Sequence, residues 1–483
     1  MTHFPLIPHH NQLARRKRTL QEESSTTDAD ASLFQGIGTH YIDLFIGTPS
    51  SQTASLIVDT GSEWTAFPCV AGCCGQHTDA EFDFAQSETF SNRSCADSCG
   101  QGRQSCRGTQ SCNVHMAYAE GSSWTAFEAQ DHVSLWRQQQ QANNNTNDST
   151  TAVEQNQSSL QGPFPLRFGC QTATTKLFRT QLADGIMGMD DSPLSFWRQA
   201  GAQSFSLCFQ SAAAPQLEDS AGVLTLDGYD DRLHLAGATM QWAKRTRSQD
   251  RYFGLFLQDM YFVPHTSSTT ISKIKGLDTR TMNAGGVIVD SGTTTSSFPL
   301  SAKPIRDAYQ QLTGNSWSKK LSLEDVKALP TLVLEFRARD SDSDNVVVEF
   351  PPLHYMWPTE NSDAMYEPAL YFMGDQTVLG ADFMRGQNIH FANDRIGFAS
   401  SNCDFNTVKS QTQHFQPSSI KIEVPSNQGV SGEDGTASSV SIGVLAVAAV
   451  LLVAIAVLVV ANKPKRPSHY QVVEHDQPEV ELT

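Results

Sequence analysis

Positive charge is scarce in this chain: 34 Lys and Arg stand against 51 Asp and Glu, for a net charge of −17. Binding to nucleic acid needs clustered positive charge, so that class of partner is set aside. The first twenty residues lack an apolar core. Only Phe4-Pro5-Leu6-Ile7 is apolar, and prolines break it, so no secretory signal peptide is legible there. Either the start is truncated, which is the preferred reading, or a later apolar span doubles as the export signal. Also missing are the paired C-x-x-C knuckles that structural zinc sites favour. Neither a metal nor another cofactor is expected.

Cysteine itself is present in quantity. Seven crowd one stretch (Cys69, Cys73, Cys74, Cys95, Cys99, Cys106 and Cys112), and Cys170, Cys208 and Cys403 are spread widely. Four thiolates of the cluster could hold a metal, but disulfides are the preferred reading, and they require an oxidising lumen or the cell exterior. With seven in the cluster, one must be free or reach Cys170, Cys208 or Cys403. Sequons at Asn92, Asn144, Asn147 and Asn156 fit the same compartment. Ile442 to Ala461 carries no charged or strongly polar side chain. At about 1.5 Å per residue it is long enough to cross a ~30 Å hydrocarbon core. Lys463, Lys465 and Arg466 follow, and positive flanks stay cytoplasmic. The expectation is a single-pass type I protein of the secretory pathway, its body lumenal or extracellular. A polar segment after the span argues against a GPI signal. In that tail, Tyr470-Gln471-Val472-Val473 fits a tyrosine-based sorting signal.

Residues 1–33 are polar and pro-like, and Arg15 to Arg18 reads as a processing site or a solvated basic run. From Gly38 to about Ser400 short β-type runs alternate with Gly and Pro, which predicts an all-β body. Ser301 to Leu312 is the clearest helix. An internal echo divides the body. Leu56-Ile57-Val58-Asp59-Thr60-Gly61-Ser62 recurs as Val287-Ile288-Val289-Asp290-Ser291-Gly292-Thr293. Each copy is followed by an apolar run ending at glycine, Gly185-Ile186-Met187-Gly188 and Thr377-Val378-Leu379-Gly380. Two lobes on one plan are expected, 34–225 and 226–403. The first lobe carries the Cys-rich insert 69–112 and a low-complexity loop at 138–159, read as disordered. A stalk (404–439), a transmembrane helix (440–461) and a cytoplasmic tail (462–483) complete the chain.

A lone Asp-Thr/Ser-Gly marks a tight turn, and by chance about one chain in several of this length has one. Two copies, each ending an apolar β-run, are harder to dismiss. The glycines, Gly61 and Gly292, let the backbone turn so that Asp59 faces Asp290. The hydroxyls of Thr60, Ser62, Ser291 and Thr293 are expected to orient carboxylate oxygens that are costly to bury bare. Two carboxyls a few ångströms apart cannot both ionise, so the pair shares one proton. One member then activates water and the other protonates a carbonyl oxygen, which hydrolyses an amide without metal or covalent intermediate.

With these motifs the chain resembles the pepsin-like aspartic proteases over nearly all of Gly38 to Ser400. Tyr41-Ile42-Asp43-Leu44-Phe45-Ile46-Gly47-Thr48-Pro49, Thr377 to Arg385 and Arg395-Ile396-Gly397-Phe398-Ala399 carry the likeness further. The resemblance implies a bilobal all-β fold with a cleft, a monomer acting on proteins or peptides, and a hairpin flap whose tyrosine matches Tyr118. Within the family the chain is similar to the plasmepsin V-type, membrane-anchored processing proteases of protists. Phe67-Pro68-Cys69, the cysteine insert, Tyr118-Ala119-Glu120-Gly121-Ser122, Phe168-Gly169-Cys170 and Gln181 carry that likeness. It implies that Glu120 and Gln181 hold an arginine of the substrate. Ala119 stands where that type has a flap cysteine, so at least one disulfide must differ. Two other readings stay open: a broad-specificity vacuolar or endosomal protease, and a non-catalytic pepsin-fold binding protein, against which both intact triplets speak.

Overall fold

The computed structural model describes residues 30–35, 39–106, 110–135, 163–212, 220–247, 251–265, 271–340, 343–359 and 362–409. All belong to one compact unit, Met1–His414; a second unit, Phe415–Thr483, contains none of them. Strict alternation of buried and half-buried residues along His40–Ile46 makes that segment a strand with one face in the core. It pairs antiparallel with Gln52–Asp59, Tyr41 opposite Ile57 and Ile46 opposite Gln52. The rest follows the same logic, and the described residues are mostly strands with few, short helices. The longest helix, Pro304–Thr313, starts three residues later than the sequence predicts. A short 3-10 turn, Leu300–Ala302, fills that space. Proline suits the first helical turn because its missing N–H has no partner there, and Gly314 closes the helix at φ 70°.

The echoed sequences occupy equivalent places. Gln52–Asp59 lies parallel to Gly185–Gly188, with Asp59 opposite Gly188. Val287–Val289 lies parallel to Thr377–Leu379, with Val289 opposite Leu379. Each aspartate thus sits at the end of a strand flanked by the apolar run that follows it in sequence. The first strand belongs to a 14-stranded sheet, the second to a six-stranded one. The large sheet crosses between the halves of the chain, because Phe205–Phe209 pairs with Gly222–Leu226 on one side and Gln387–Phe391 on the other. The strand that ends at Asp59 belongs to this sheet, whereas the strand before Asp290 belongs to the separate six-stranded one.

All ten cysteines pair: Cys69–Cys170, Cys73–Cys74, Cys95–Cys106, Cys99–Cys112 and Cys208–Cys403. The odd member of the seven-cysteine cluster is Cys69, which reaches Cys170. The insert is also pinned by a fully buried carboxylate. Glu128 pairs with Arg167, and its other oxygen accepts the Gly100 N–H at 2.8 Å. Arg167 in turn donates to the Ser98 carbonyl at 2.8 Å. Asn92 is exposed on a short strand. Among the described residues no helix is long and apolar enough to cross a membrane. The apolar run at 442–461, the sequons at 144, 147 and 156, the basic run at 15–18 and the tail signal all lie outside the described residues.

Arg167→Ala leaves Glu128 buried without its countercharge. The substitution is expected to lower stability by about 3 kcal/mol, read as a lower urea midpoint with unchanged slope. An unchanged midpoint would show that the ion pair does not hold the insert.

Candidate active site

Asp59 ends its strand in a buried position, 4 % exposed, and Asp290 follows Val287–Val289. The two turns meet by reciprocal hydrogen bonds. The Thr60 N–H donates to Ser291 Oγ at 3.0 Å, and the Ser291 N–H donates to Thr60 Oγ1 at 3.0 Å. Each hydroxyl then donates to the strand of the opposite half: Thr60 Oγ1 to the Val289 carbonyl at 2.9 Å, and Ser291 Oγ to the Val58 carbonyl at 2.7 Å. Thr60 and Ser291 therefore do not orient the carboxylates, as the sequence reading expects of them. A residue next to the aspartate in an extended chain points away from it, and here that direction leads into the other turn.

The hydroxyls three residues on do face the carboxyls. Ser62 Oγ donates to Asp59 Oδ2, and Thr293 Oγ1 donates to Asp290 Oδ2 at 2.7 Å. On the inner side, the Gly61 N–H donates to Asp59 Oδ1 at 2.8 Å and the Gly292 N–H to Asp290 Oδ1 at 3.0 Å. Neither glycine has a positive φ; what requires glycine is space. A Cβ at Gly61 would stand 2.7 Å from Asp290 Oδ1, and one at Gly292 would fall on the Asp59 carboxyl. Each glycine is thus packed against the opposite aspartate. Burial first, then the negative charge of Asp290, holds the Asp59 carboxyl well above the usual carboxylate range. Its bonds from Ser62 and Gly61 act in the opposite direction.

Over this pair lies a hairpin of Asn113–Ala117 and Ser123–Ser134. Its turn is closed by the Tyr118 N–H to the Ser122 carbonyl and the Gly121 N–H to the Tyr118 carbonyl, both 2.9 Å, with Gly121 at φ 85°. Trp124 Nε1 donates to Tyr118 Oη at 3.1 Å, and the Tyr118 ring lies 5.1 Å from that of Phe178. Burial and the Asp59 charge raise the Tyr118 phenol far above its ordinary value. It stays neutral, a donor beside the aspartates. Glu120 is at the turn, exposed along one edge, and accepts from the Ser122 hydroxyl. Partial burial raises its carboxyl, while the nearby Lys176 ammonium opposes that rise. Gln181 is turned elsewhere: its amide donates to the carbonyls of Ala183 (3.1 Å) and Gly185 (3.4 Å).

Three residues that the sequence did not single out join the site. Trp124 fixes the flap tyrosine. Lys176 lies over the flap glycine, 2.5 Å from where a Cβ of residue 121 would stand. Asp190 donates its N–H to the Ser62 carbonyl at 3.0 Å, and burial followed by the Glu63 charge pushes its carboxyl up to about 7. Position in the chain was the available signal for Asp190, which lies two residues after the glycine-ended run of the first half. Trp124 and Lys176 carry no motif.

Residues 40–226 match the family profile described as xylanase inhibitor N-terminal. Aspartic protease 5 of Toxoplasma gondii is 30 % identical over 223 residues, covering 41 % of this chain and 20 % of that protein. Plasmepsin V of Plasmodium falciparum is 34 % identical over 152 residues, 31 % of this chain and 22 % of its own length. Aspartic proteinase nepenthesin-2 of Nepenthes gracilis is 24 % identical over 293 residues, 60 % of this chain and 59 % of that protein. The chain spans about a fifth of the length of the first two relatives. With paired aspartate turns, a flap hairpin and these likenesses together, the chain is similar to the pepsin-like aspartic proteases.

Proposed function

We propose that this chain is an aspartic endopeptidase in which Asp59 and Asp290 share one proton and cleave peptide bonds with water. The observation that carries the reading is the juxtaposition of two aspartates 231 residues apart, each packed against the other's glycine. In the proposed reaction the ionised member takes a proton from the substrate water as its oxygen bonds to the peptide carbon. The protonated member gives its proton to the carbonyl oxygen, leaving a neutral gem-diol. As that diol collapses, one hydroxyl gives its proton to the ionised aspartate and the protonated aspartate gives its proton to the nitrogen while the C–N bond breaks, so acid and amine leave and the pair again holds one proton. Tyr118, neutral and fixed by Trp124, closes over the substrate and excludes water, which strengthens each of these transfers.

The same reading assigns the site preference to the flap. Glu120, partly desolvated at the flap turn, would receive a basic side chain of the substrate in competition with Lys176, and a planar guanidinium suits a carboxylate best. Gln181 would join it only after its amide leaves the Ala183 and Gly185 carbonyls. The disulfides support an oxidising lumen. The apolar run 442–461 with its cationic flank supports a membrane anchor that holds the enzyme in the secretory pathway, where secreted or exported proteins would be its substrates.

Asp59→Asn and Asp290→Ala are each expected to lower kcat on a peptide library by about a thousandfold or more, with folding intact by circular dichroism; residual turnover near the parent's would refute the mechanism. Because burial and the neighbouring Asp290 charge raise the Asp59 carboxyl, its proton is lost only as pH rises well past the usual carboxylate range. The kcat/KM profile should therefore fall on the alkaline side at a pH well above the usual carboxylate value. A profile flat from pH 4 to 9 would contradict proton sharing. Glu120→Ala should cut selectivity for Arg over a neutral residue by about tenfold or more, and an unchanged preference ratio removes Glu120 from substrate recognition.

A further inference from the structure

A cavity of about 390 Å³ is lined by Lys244, Arg245, Thr246, Phe256, Arg337, Asn393 and Asp394. None of these residues takes part in the dyad or the flap. Backbone bonds fix their spacing: the Lys244 N–H donates to the Arg337 carbonyl at 2.9 Å, and the Arg337 N–H to the Phe256 carbonyl at 3.0 Å. Arg245, 8 % exposed, builds the floor. Its guanidinium pairs with Asp191 at 2.8 Å and donates to the carbonyls of Ala392, Asn393 and Tyr252. The one carboxylate of the lining, Asp394, is paired with Arg339 at 3.0 Å.

Lys244 and Arg337 are different. Of the cations nearby, Arg198 and Arg245 pair with Asp191, Arg251 with Glu63 and Arg339 with Asp394, while Arg395, opposite Lys244 in the strand pair, lies over the Trp242 ring. Among the described residues, neither Lys244 nor Arg337 has a carboxylate partner. Arg337 instead lies flat on Phe256, its Cζ 3.8 Å from the ring centroid, which holds the guanidinium in place and leaves its N–H edge free. On a chain of net charge −17, a concavity with two unpaired cations is the local exception.

We propose that this pocket binds a phosphate group. Three cations against one carboxylate leave two positive charges in the lining. A phosphate monoester carries about −1.5 to −2 near neutral pH, with three acceptor oxygens. A planar guanidinium, an ammonium and the Thr246 hydroxyl supply donors for those oxygens, whereas a single carboxylate would leave one charge unmatched. The phosphate could belong to a soluble ester or to a lipid headgroup.

The test is calorimetric titration of the full chain, held in phosphatidylcholine nanodiscs, with inorganic phosphate and separately with acetate. One phosphate per chain is expected, bound more tightly than acetate. Lys244→Met and Arg337→Gln should each weaken it about ten- to a hundredfold while thermal unfolding without phosphate stays at the parent's temperature. Should either variant misfold, Arg337→Lys serves in its place: it keeps the charge, loses the fork and should show an intermediate affinity. Phosphatidic acid added to the disc assigns the source. Loss of the phosphate signal identifies a lipid headgroup, and a retained signal identifies a soluble ester. No binding, equal binding of acetate, or full affinity in the folded neutral variants would overturn the proposal.

Discussion

Everything at the candidate site depends on four hydrogen bonds between two turns. Thr60 and Ser291 exchange N–H to hydroxyl bonds, and each hydroxyl then reaches the opposite strand, at Val289 and Val58. Every member is buried, so a missing partner would leave a donor or acceptor without water, a cost of about 1–3 kcal/mol. The bonds therefore act as a set, and the set fixes how closely the two halves approach. At that approach no side chain fits at residue 61 or 292, and the carboxyls of Asp59 and Asp290 become neighbours. Charge repulsion follows from position, and position follows from two hydroxyls.

Mutual repulsion is only half of the electrostatic argument. Burial contributes more to raising Asp59 than Asp290 does, so a dry floor is as necessary as a second carboxyl. The floor is made by Val58, Val289 and Leu379, each 1 % exposed or less. On the opposite side, Ser62 and Gly61 donate to Asp59, and Thr293 and Gly292 to Asp290. These bonds favour the ionised form. A pair that is desolvated from below and hydrogen-bonded from the sides can hold one proton and still release it, which is the requirement for acid and base to exchange roles.

Much of this could be read in the sequence because the echo repeats the same chemistry in the same order. Asp59 and Asp290 were legible, as was the apolar partner run of each. The all-β character was legible from alternating runs such as His40–Ile46. What failed to show were properties of approach between distant segments. Gly61 and Gly292 read as turn glycines, yet their φ values are ordinary and the space they leave is taken by the other aspartate. Thr60 and Ser291 read as carboxylate ligands because a hydroxyl beside an aspartate gives no hint of a partner 231 residues away. Disulfide connectivity was equally hidden: spacing allowed many pairings, and neither the adjacent bridge Cys73–Cys74 nor the long bridge Cys69–Cys170 has a local signature. Trp124 escaped because a tryptophan in a strand is ordinarily core, and only the hairpin register brings its indole to Tyr118.

The flap and the insert complete the arrangement by different means. Covalent bridges and the buried Glu128–Arg167 pair fix the insert, whereas the flap turn is held by two backbone bonds and by Trp124 on Tyr118. The claim beneath the whole account is that the two carboxyls carry one proton between them. The direct measurement is a pH titration of the folded body with 13C at the aspartate carboxyl carbons, followed by NMR with Asp59→Asn and Asp290→Asn spectra for assignment. Two separated steps shared by both resonances, the upper well above the usual carboxylate value, are the predicted result. Two independent transitions in the ordinary carboxylate range would contradict it.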